Sequence, residues 1–223
     1  MKYTTLYRNR SALLAGGIMM ASLASASQSH AAQVLLVNPN FTANNNGSAD
    51  NGLGFDQGGA AEVPGWSQDL PVVDSGVADT GGLWSAELNQ DNGNVYQTSS
   101  HSILNGDMFT LTFDAKNAFQ GSEITVVLYR LDSGPTTRTP LATRNATVGN
   151  TFASFSLSYT ALPADAGKPI GIEFFNASNV AGGESWASFD NFVLDVVSVP
   201  EPTSMAVLGS GLGVLALRRR RNK

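Results

Sequence analysis

Apolar side chains in the middle of this chain recur at every second residue, and that alternation narrows the fold more than any other feature. Phe109, Leu111 and Phe113 alternate with Thr110, Thr112 and Asp114. Ile124, Val126 and Leu128 repeat the pattern, as do Phe155, Leu157 and Tyr159, and then Ile170, Ile172 and Phe174. A period of two sets one face of an extended strand in a core and the other in water, whereas an amphipathic helix needs a period of 3.6, which no stretch of helical length between residues 32 and 198 shows. Phe192, Leu194 and Val196 close the series on one expected face, and Asp190 falls on that face by the same count. Earlier strands are expected near residues 34–38, 83–88 and 93–99. Turn signals part them at Asn105-Gly106-Asp107, at residues 132–135, at residues 163–165 and at Gly182-Gly183. Eight or nine short strands joined this way predict an all-β fold, a two-sheet antiparallel jelly-roll sandwich. Residues 42–65, with their Asn- and Gly-rich run from Asn44 to Gly52, predict a long loop, either mobile or ligand-gripping.

Charge is informative once divided by region. The 223 residues carry a formal net charge of −5, but Lys2, Arg8 and Arg10 open the chain and Arg218, Arg219, Arg220, Arg221 and Lys223 close it. Residues 32–198 hold five basic residues against seventeen acidic ones, a net charge of −12. Nucleic-acid affinity rests on Lys and Arg displacing counterions, so a nucleic-acid partner is excluded. The chain has no cysteine and only two histidines, His30 and His101, which removes disulfides, thiolate metal sites and multi-histidine sites together. Chemistry in the body is left to carboxylates, amides, hydroxyls and aromatics, a donor set that suits calcium and sugars.

The two ends read as addresses. A basic n-region, the small and apolar residues 11–26 and the Ser29-His30-Ala31 site form a secretory signal peptide over residues 1–31, with an expected helix and cleavage after Ala31. At the other end, residues 199–223 hold Pro200-Glu201-Pro202, an apolar run from Met205 to Leu217 and the arginines 218–221. The run is short against the roughly 20 residues of a membrane span, but starting at Thr203 and letting Arg218 snorkel brings a transmembrane helix within reach. The arginines would then stay cytoplasmic and the body outside. This tripartite end resembles the PEP-CTERM sorting signal. The resemblance implies processing by an exosortase, transient anchoring in the inner membrane of a Gram-negative bacterium, and release to the cell surface or an exopolysaccharide matrix.

Within the body, residues 32–198, three patterns occur in order: Asn38-Pro39-Asn40-Phe41, Pro64-Gly65-Trp66 and Phe189-Asp190-Asn191. Together with the strands at 109–114 and 155–159 they make the body resemble galactose-binding-like and carbohydrate-binding-module jelly rolls, and it is similar to calcium-dependent cyclases of cyanobacterial alkaloid pathways. A buried Asp190 needs a partner. The resemblance implies a structural Ca2+ there, with Asn38, Asn40 and Thr42 as further ligands. Thr42 departs from the family, which often has an acid at that position, and the alternative is a carboxylate capping a turn through backbone N–H groups. Trp84, Glu87, Tyr96, Tyr129 and Trp186 are the expected ligand-binding residues, aromatic and acidic groups suited to an exopolysaccharide or other glycan. Trp66 is expected to pack in the core, Asn92-Gly93 to make a hairpin turn, and His101 to lie in a solvated loop.

The expected protein is not an enzyme: it is a sorted, calcium-stabilised glycan binder. Two alternatives stay open, a structural matrix protein that binds nothing specific and a cyclase-like enzyme on the same scaffold. A sugar binder needs an open groove with exposed rings and amides, a cyclase an enclosed apolar pocket around an acid.

Overall fold

The structure, a computed structural model, describes residues 31–43, 63–69, 75–79, 83–90, 93–134, 137–181 and 184–198. Residues 1–30 of the expected signal peptide, the apolar run 205–217, the sorting residues Pro200, Glu201, Pro202 and Arg218–Arg221, most of the expected 42–65 loop and Asn92 lie outside them. Eleven strands are described: β1 (Ala31–Val34), β2 (Ser67–Gln68), β3 (Gly76–Asp79), β4 (Trp84–Asn89), β5 (Val95–Ser102), β6 (Met108–Phe119), β7 (Ser122–Leu131), β8 (Arg138–Val148), β9 (Ala153–Thr160), β10 (Pro169–Asn176) and β11 (Trp186–Val197). A single 3-10 turn, Pro163–Asp165, interrupts them. Among the described residues, no helix is long and apolar enough to cross a membrane.

The strands form two antiparallel sheets, as the alternation predicts. Sheet A runs β3-β4-β11-β6-β9, with β1 also paired to β11, and sheet B runs β2-β5-β10-β7-β8. Chain neighbours are often not sheet neighbours: β6 pairs with β9 and β11, while β7 pairs with β8 and β10, so the chain crosses between sheets in the manner of a jelly roll. One end of the sandwich gathers the turn 103–107, the turn 161–168 and the two outer residues of the body, since Ala31 pairs with Val197 and Val197 with Met108. The opposite end gathers the β6–β7 turn and the β8–β9 turn at 149–152.

Alternating residues of both sheets meet in one core. Trp66 is 1% exposed, its ring 5.1 Å from that of Phe41, 5.3 Å from Phe174 and 5.5 Å from Phe192. Its Nε1–H donates to the Asn38 carbonyl at 2.9 Å, which satisfies the one polar atom that burial would otherwise strand. Gly65 makes this approach possible: its φ is +88° and a Cβ there would lie 2.5 Å from Val37 Cβ.

Several expectations shift. β1 covers residues 31–34 rather than 34–38, and residues 38–43 turn back on themselves with Asn38 and Phe41 at φ 51° and 55°. β8 is absent from the expected strands because it is an edge strand with mostly polar, solvent-facing residues and a proline, Pro140, at a bulge opposite Tyr129. His101 belongs to β5 and not to a loop. The largest correction concerns Asp190. It does not share a face with Phe192, Leu194 and Val196, because Asn191 adopts φ 53° and forms a bulge: Asp190 pairs with Asp114 and Val193 with Thr112, two residues facing one between. Phe189 and Phe192 are therefore both fully buried, while Asp190 lies beside Asp114 on the outer face of sheet A and is only half-buried. Counting by twos fails at a bulge.

Candidate functional site

The outer face of sheet A carries an open cleft of about 940 Å³, near the upper end of the volumes typical of ligand sites. β11 contributes Trp186, β4 contributes Glu87, and β6 contributes Lys116 and Asn117. Glu184, Asn150 and the β6–β7 turn complete the wall, and Gly76 stands opposite Glu87 with no side chain to fill the space. The turn is two residues long, with Gln120 at φ 54° and Gly121 at φ 60°, and it carries the chain from sheet A to sheet B. It holds Phe119, 46% exposed, across the ladder from Trp186. Several of the polar groups are held in place. Glu87 accepts a hydrogen bond from the buried Ser188 hydroxyl at 3.1 Å, and Asn117 Nδ2 donates to Asn150 Oδ1 at 3.0 Å. Lys116 Nζ sits 4.8 Å from the centre of the Phe152 ring, a cation–π contact.

The five expected ligand residues divide among three places. Glu87 and Trp186 share this cleft. Trp84 packs against the core instead, because it is in phase with Ala86 and Leu88. Tyr96 and Tyr129 lie on the outer face of sheet B, and both are committed there. Arg138 stacks over Tyr96 at 3.9 Å and pairs through Nε with Glu173 at 2.7 Å and through Nη2 with Asp69. Tyr129 is fully buried over Gly171 and shares a 2.7 Å hydrogen bond with Thr98. Burial pushes its hydroxyl pKa up to about 12. No local motif marks Phe119, Lys116, Asn117, Asn150 and Glu184 in the sequence; they come from β6, the β8–β9 turn and the segment before β11, and only the sheet topology brings them to one cleft.

The calcium residues are likewise separated in role. Asn38 spends its amide on its own turn, Oδ1 accepting the Ala43 N–H at 2.9 Å and Nδ2 donating to the Ala43 carbonyl at 2.6 Å. Thr42 donates its hydroxyl to Asn40 Oδ1 at 3.1 Å. The turn reaches β11 at Phe192, whose N–H donates to the Pro39 carbonyl at 3.1 Å. Asp190 accepts the Asn191 N–H at 2.7 Å, and Asn191 Nδ2 donates to Asp114 at 2.9 Å. Burial raises the Asp190 pKa, the Asn191 N–H opposes this, and the Asp114 charge adds to it. Among the described residues no three acidic or imidazole side chains converge. Asp190 and Asp114 have the chemistry of calcium ligands; Asn38, Asn40 and Thr42 are engaged in holding the turn.

A buried polar pair went unrecognised in the sequence. Asp107, with no exposure, accepts the Leu104 N–H at 2.8 Å and lies 3.5 Å from His101 Nε2. It closes the β5–β6 turn, so its role is architectural.

Residues 198–221 match the PEP-CTERM protein-sorting motif. No curated protein matches the chain in sequence. Among solved structures, a cyclase from Fischerella sp. TAU in complex with 4-(1H-indol-3-yl)butan-2-one is similar at 18% identity, with 76% of this chain and 100% of that chain covered and a TM-score of 0.57. The Stig cyclase Fisc from Fischerella sp. TAU is similar at 20% identity, with 75% and 98% covered and a TM-score of 0.54. A protein of Bacteroides thetaiotaomicron proposed to bind sugar shows 13% identity, 73% and 99% coverage and a TM-score of 0.48. At these identities the likeness is one of fold. The chain thus joins a jelly roll to a protein-sorting motif.

Proposed function

We propose that the protein is exported, passed to an exosortase through its C-terminal motif, and binds a glycan, such as the exopolysaccharide of its own cell, in the cleft at Trp186. Its apolar run from Met205 to Leu217 holds it in the inner membrane before it reaches the cell surface or matrix. The observation that carries the binding reading is the cleft: a tryptophan and a half-exposed phenylalanine set among Glu87, Glu184, Asn117 and Asn150. Rings that cover apolar sugar faces and amides or carboxylates that take hydroxyl hydrogen bonds are what such a ligand needs. The cyclase reading calls for an enclosed apolar pocket around an acid, and this cleft is open and lined by amides and charges.

Calcium enters the proposal at Asp190. A divalent cation there would relieve the opposition between Asp190 and Asp114. Asp190→Asn should then lower the melting temperature in calcium, and in chelator should leave it equal to or above that of the parent. Equal melting of the two proteins in calcium sinks the metal.

The experiment that tests the function is binding of the purified protein to a glycan panel, including the producer's exopolysaccharide, in calcium and again in chelator. Saturable binding that Trp186→Ala weakens at least tenfold supports the reading. Absence of binding to every glycan in both conditions favours a structural matrix protein.

A further inference from the structure

The end of the sandwich from which the chain departs toward its sorting motif carries an apolar rim. Leu104, Met108 and Leu162 are 52%, 46% and 57% exposed. The two turns that present them are tied together: the Gly106 N–H donates to the Ala161 carbonyl at 3.0 Å and the Ala161 N–H to the Asp107 carbonyl at 2.8 Å. Met108 is the cross-strand neighbour of both Thr160 and Val197.

The acids in and beside the two turns do not oppose an apolar partner; Asp195, partly exposed, lies farther up β11, opposite Thr110. Asp107 and Asp165 are turned inside, where each caps a turn by accepting the N–H of Leu104 or of Leu162 at 2.8 and 2.7 Å. Asp132, partly exposed, is neutralised by Arg130 at 3.0 Å and Lys168 at 2.8 Å. The exposed part of the two turns is mostly hydrocarbon, Leu104, Leu162, Pro163, Ala164 and Ala166, with the amide of Asn105 among them.

Connectivity says what such a rim faces. β11 ends at Val197, next to Met108, and the apolar run begins eight residues later at Met205. Eight residues span at most about 28 Å when fully extended. While that run is in a bilayer, the rim is held beside it at an effective concentration on the order of millimolar, at which weak contacts are populated.

We propose that this end of the sandwich docks on the lipid bilayer, with Leu104, Met108 and Leu162 entering the headgroup region while the tail is anchored. The proposal rests on the anchored reading of the tail given above. It also gives the cleft an orientation: Phe119 lies eleven residues along β6 from Met108, about 36 Å away at the rise of a strand. The docked sandwich thus stands on one end and presents its cleft outward.

The absence of cysteine makes the test clean. The full chain is reconstituted in vesicles of phosphatidylethanolamine and phosphatidylglycerol, with a polarity-sensitive dye on Leu104→Cys, on Leu162→Cys or, at the opposite end, on Thr151→Cys. All three positions are exposed, and unchanged melting of each variant checks its fold. Lipids carrying a quencher near the headgroup should quench the labels at 104 and 162 several-fold more than the label at 151. Equal quenching at the three positions overturns docking and leaves the anchor standing. Labels at 104 and 162 that are shielded without lipid quenching, and only at high protein density, overturn it in favour of a second copy as the partner. Failure of the chain to partition into the vesicles overturns the anchored reading, and the docking with it.

Discussion

The outer faces of the two sheets are built from the same kinds of residue and end in opposite states. On sheet B, Tyr96, Tyr129, Arg138 and Glu173 pack on one another: the guanidinium lies over one ring and pairs with two carboxylates, its Nη1 is buried without a hydrogen-bond partner among the described residues, and the second ring is sealed beneath it. On sheet A, Trp186, Phe119, Glu87, Glu184 and Asn150 line a volume rather than filling it. Aromatics near carboxylates do not by themselves mark a ligand site. What distinguishes the two clusters is whether the groups close over one another or leave an open volume between them.

The largest expected effect tests the structural half of that contrast. Arg138→Ala removes a nearly buried cation and leaves Glu173, itself mostly buried, with the Asn94 amide but no charged partner among the described residues. Breaking such a pair costs about 3 kcal/mol, at the lower end of the range for buried pairs because Asp69 is partly exposed. Denaturant melts would register this as a lower midpoint at unchanged slope, with glycan binding intact. If Arg138→Ala instead abolished binding without loss of stability, the two faces would have to exchange roles.

Gly171→Ala follows in size. A Cβ at that position would lie 2.3 Å from Tyr129 Cζ and 2.4 Å from its hydroxyl oxygen. The ring is sealed in place and hydrogen-bonded to Thr98, so the strain should cost about 1 to 3 kcal/mol. Gly171→Ala with Tyr129→Ala should recover part of that cost relative to the sum of the single variants, since the clash has one source. Strict additivity in thermal melts would show that Tyr129 is not what Gly171 accommodates.

On the other face, Trp186→Ala should weaken glycan binding at least tenfold, about 1.4 kcal/mol, and move the melting midpoint little, because the ring lines a cleft rather than the core. Isothermal titration of the two proteins against the same glycan reads both quantities. Trp84→Ala, which opens the core margin, should show the reverse pattern.

How far this contrast can be seen in the sequence follows from its physics. The sheets are legible because burial imposes a period of two on strands such as β6 and β10, and Trp66 is legible because Pro64-Gly65 precedes a ring with nowhere else to go. β8 escapes because an edge strand with solvent on most of its surface owes its hydrophobic pattern to nothing. Asp190 is misplaced by one residue of bulge at Asn191, a backbone event that no count of side chains shows. The cleft is half legible: Glu87 and Trp186, which line it, are picked out by residue type, but Tyr96 and Tyr129 are picked out the same way and differ in what lies across the sheet. Arg138 is forty-two positions from Tyr96 in sequence and stacked on it in space.

The smallest expected effect is the dependence of stability on pH, and it sets Asp190 on sheet A apart by sign. Hydrogen bonds from Lys168 and Thr139, with the Arg130 charge adding, hold Asp132 down to about 2, against about 3.9 in an unfolded chain. Its contribution is complete above pH 4 or so and is lost as pH falls toward 2. Asp190 on sheet A runs the other way. Burial and Asp114 raise its folded pKa, so its ionisation disfavours the fold, and the penalty is relieved as pH falls through that raised value. At the alkaline limit Tyr129, pushed up to about 12 by burial, and Tyr159, pushed up to about 12 by burial and the adjacent Asp165, stay neutral in the fold after unfolded tyrosines ionise near 10. Their contribution is whole below pH 10 and disappears toward 12. Melting in chelator across this range should therefore show Asp132→Asn flattening the acid limb, Tyr129→Phe flattening the alkaline limb, and Asp190→Asn raising stability at neutral pH. A neutral-pH loss for Asp190→Asn in chelator would mean that its carboxylate is satisfied by the fold itself, and the asymmetry between the two faces would be confined to their aromatic residues.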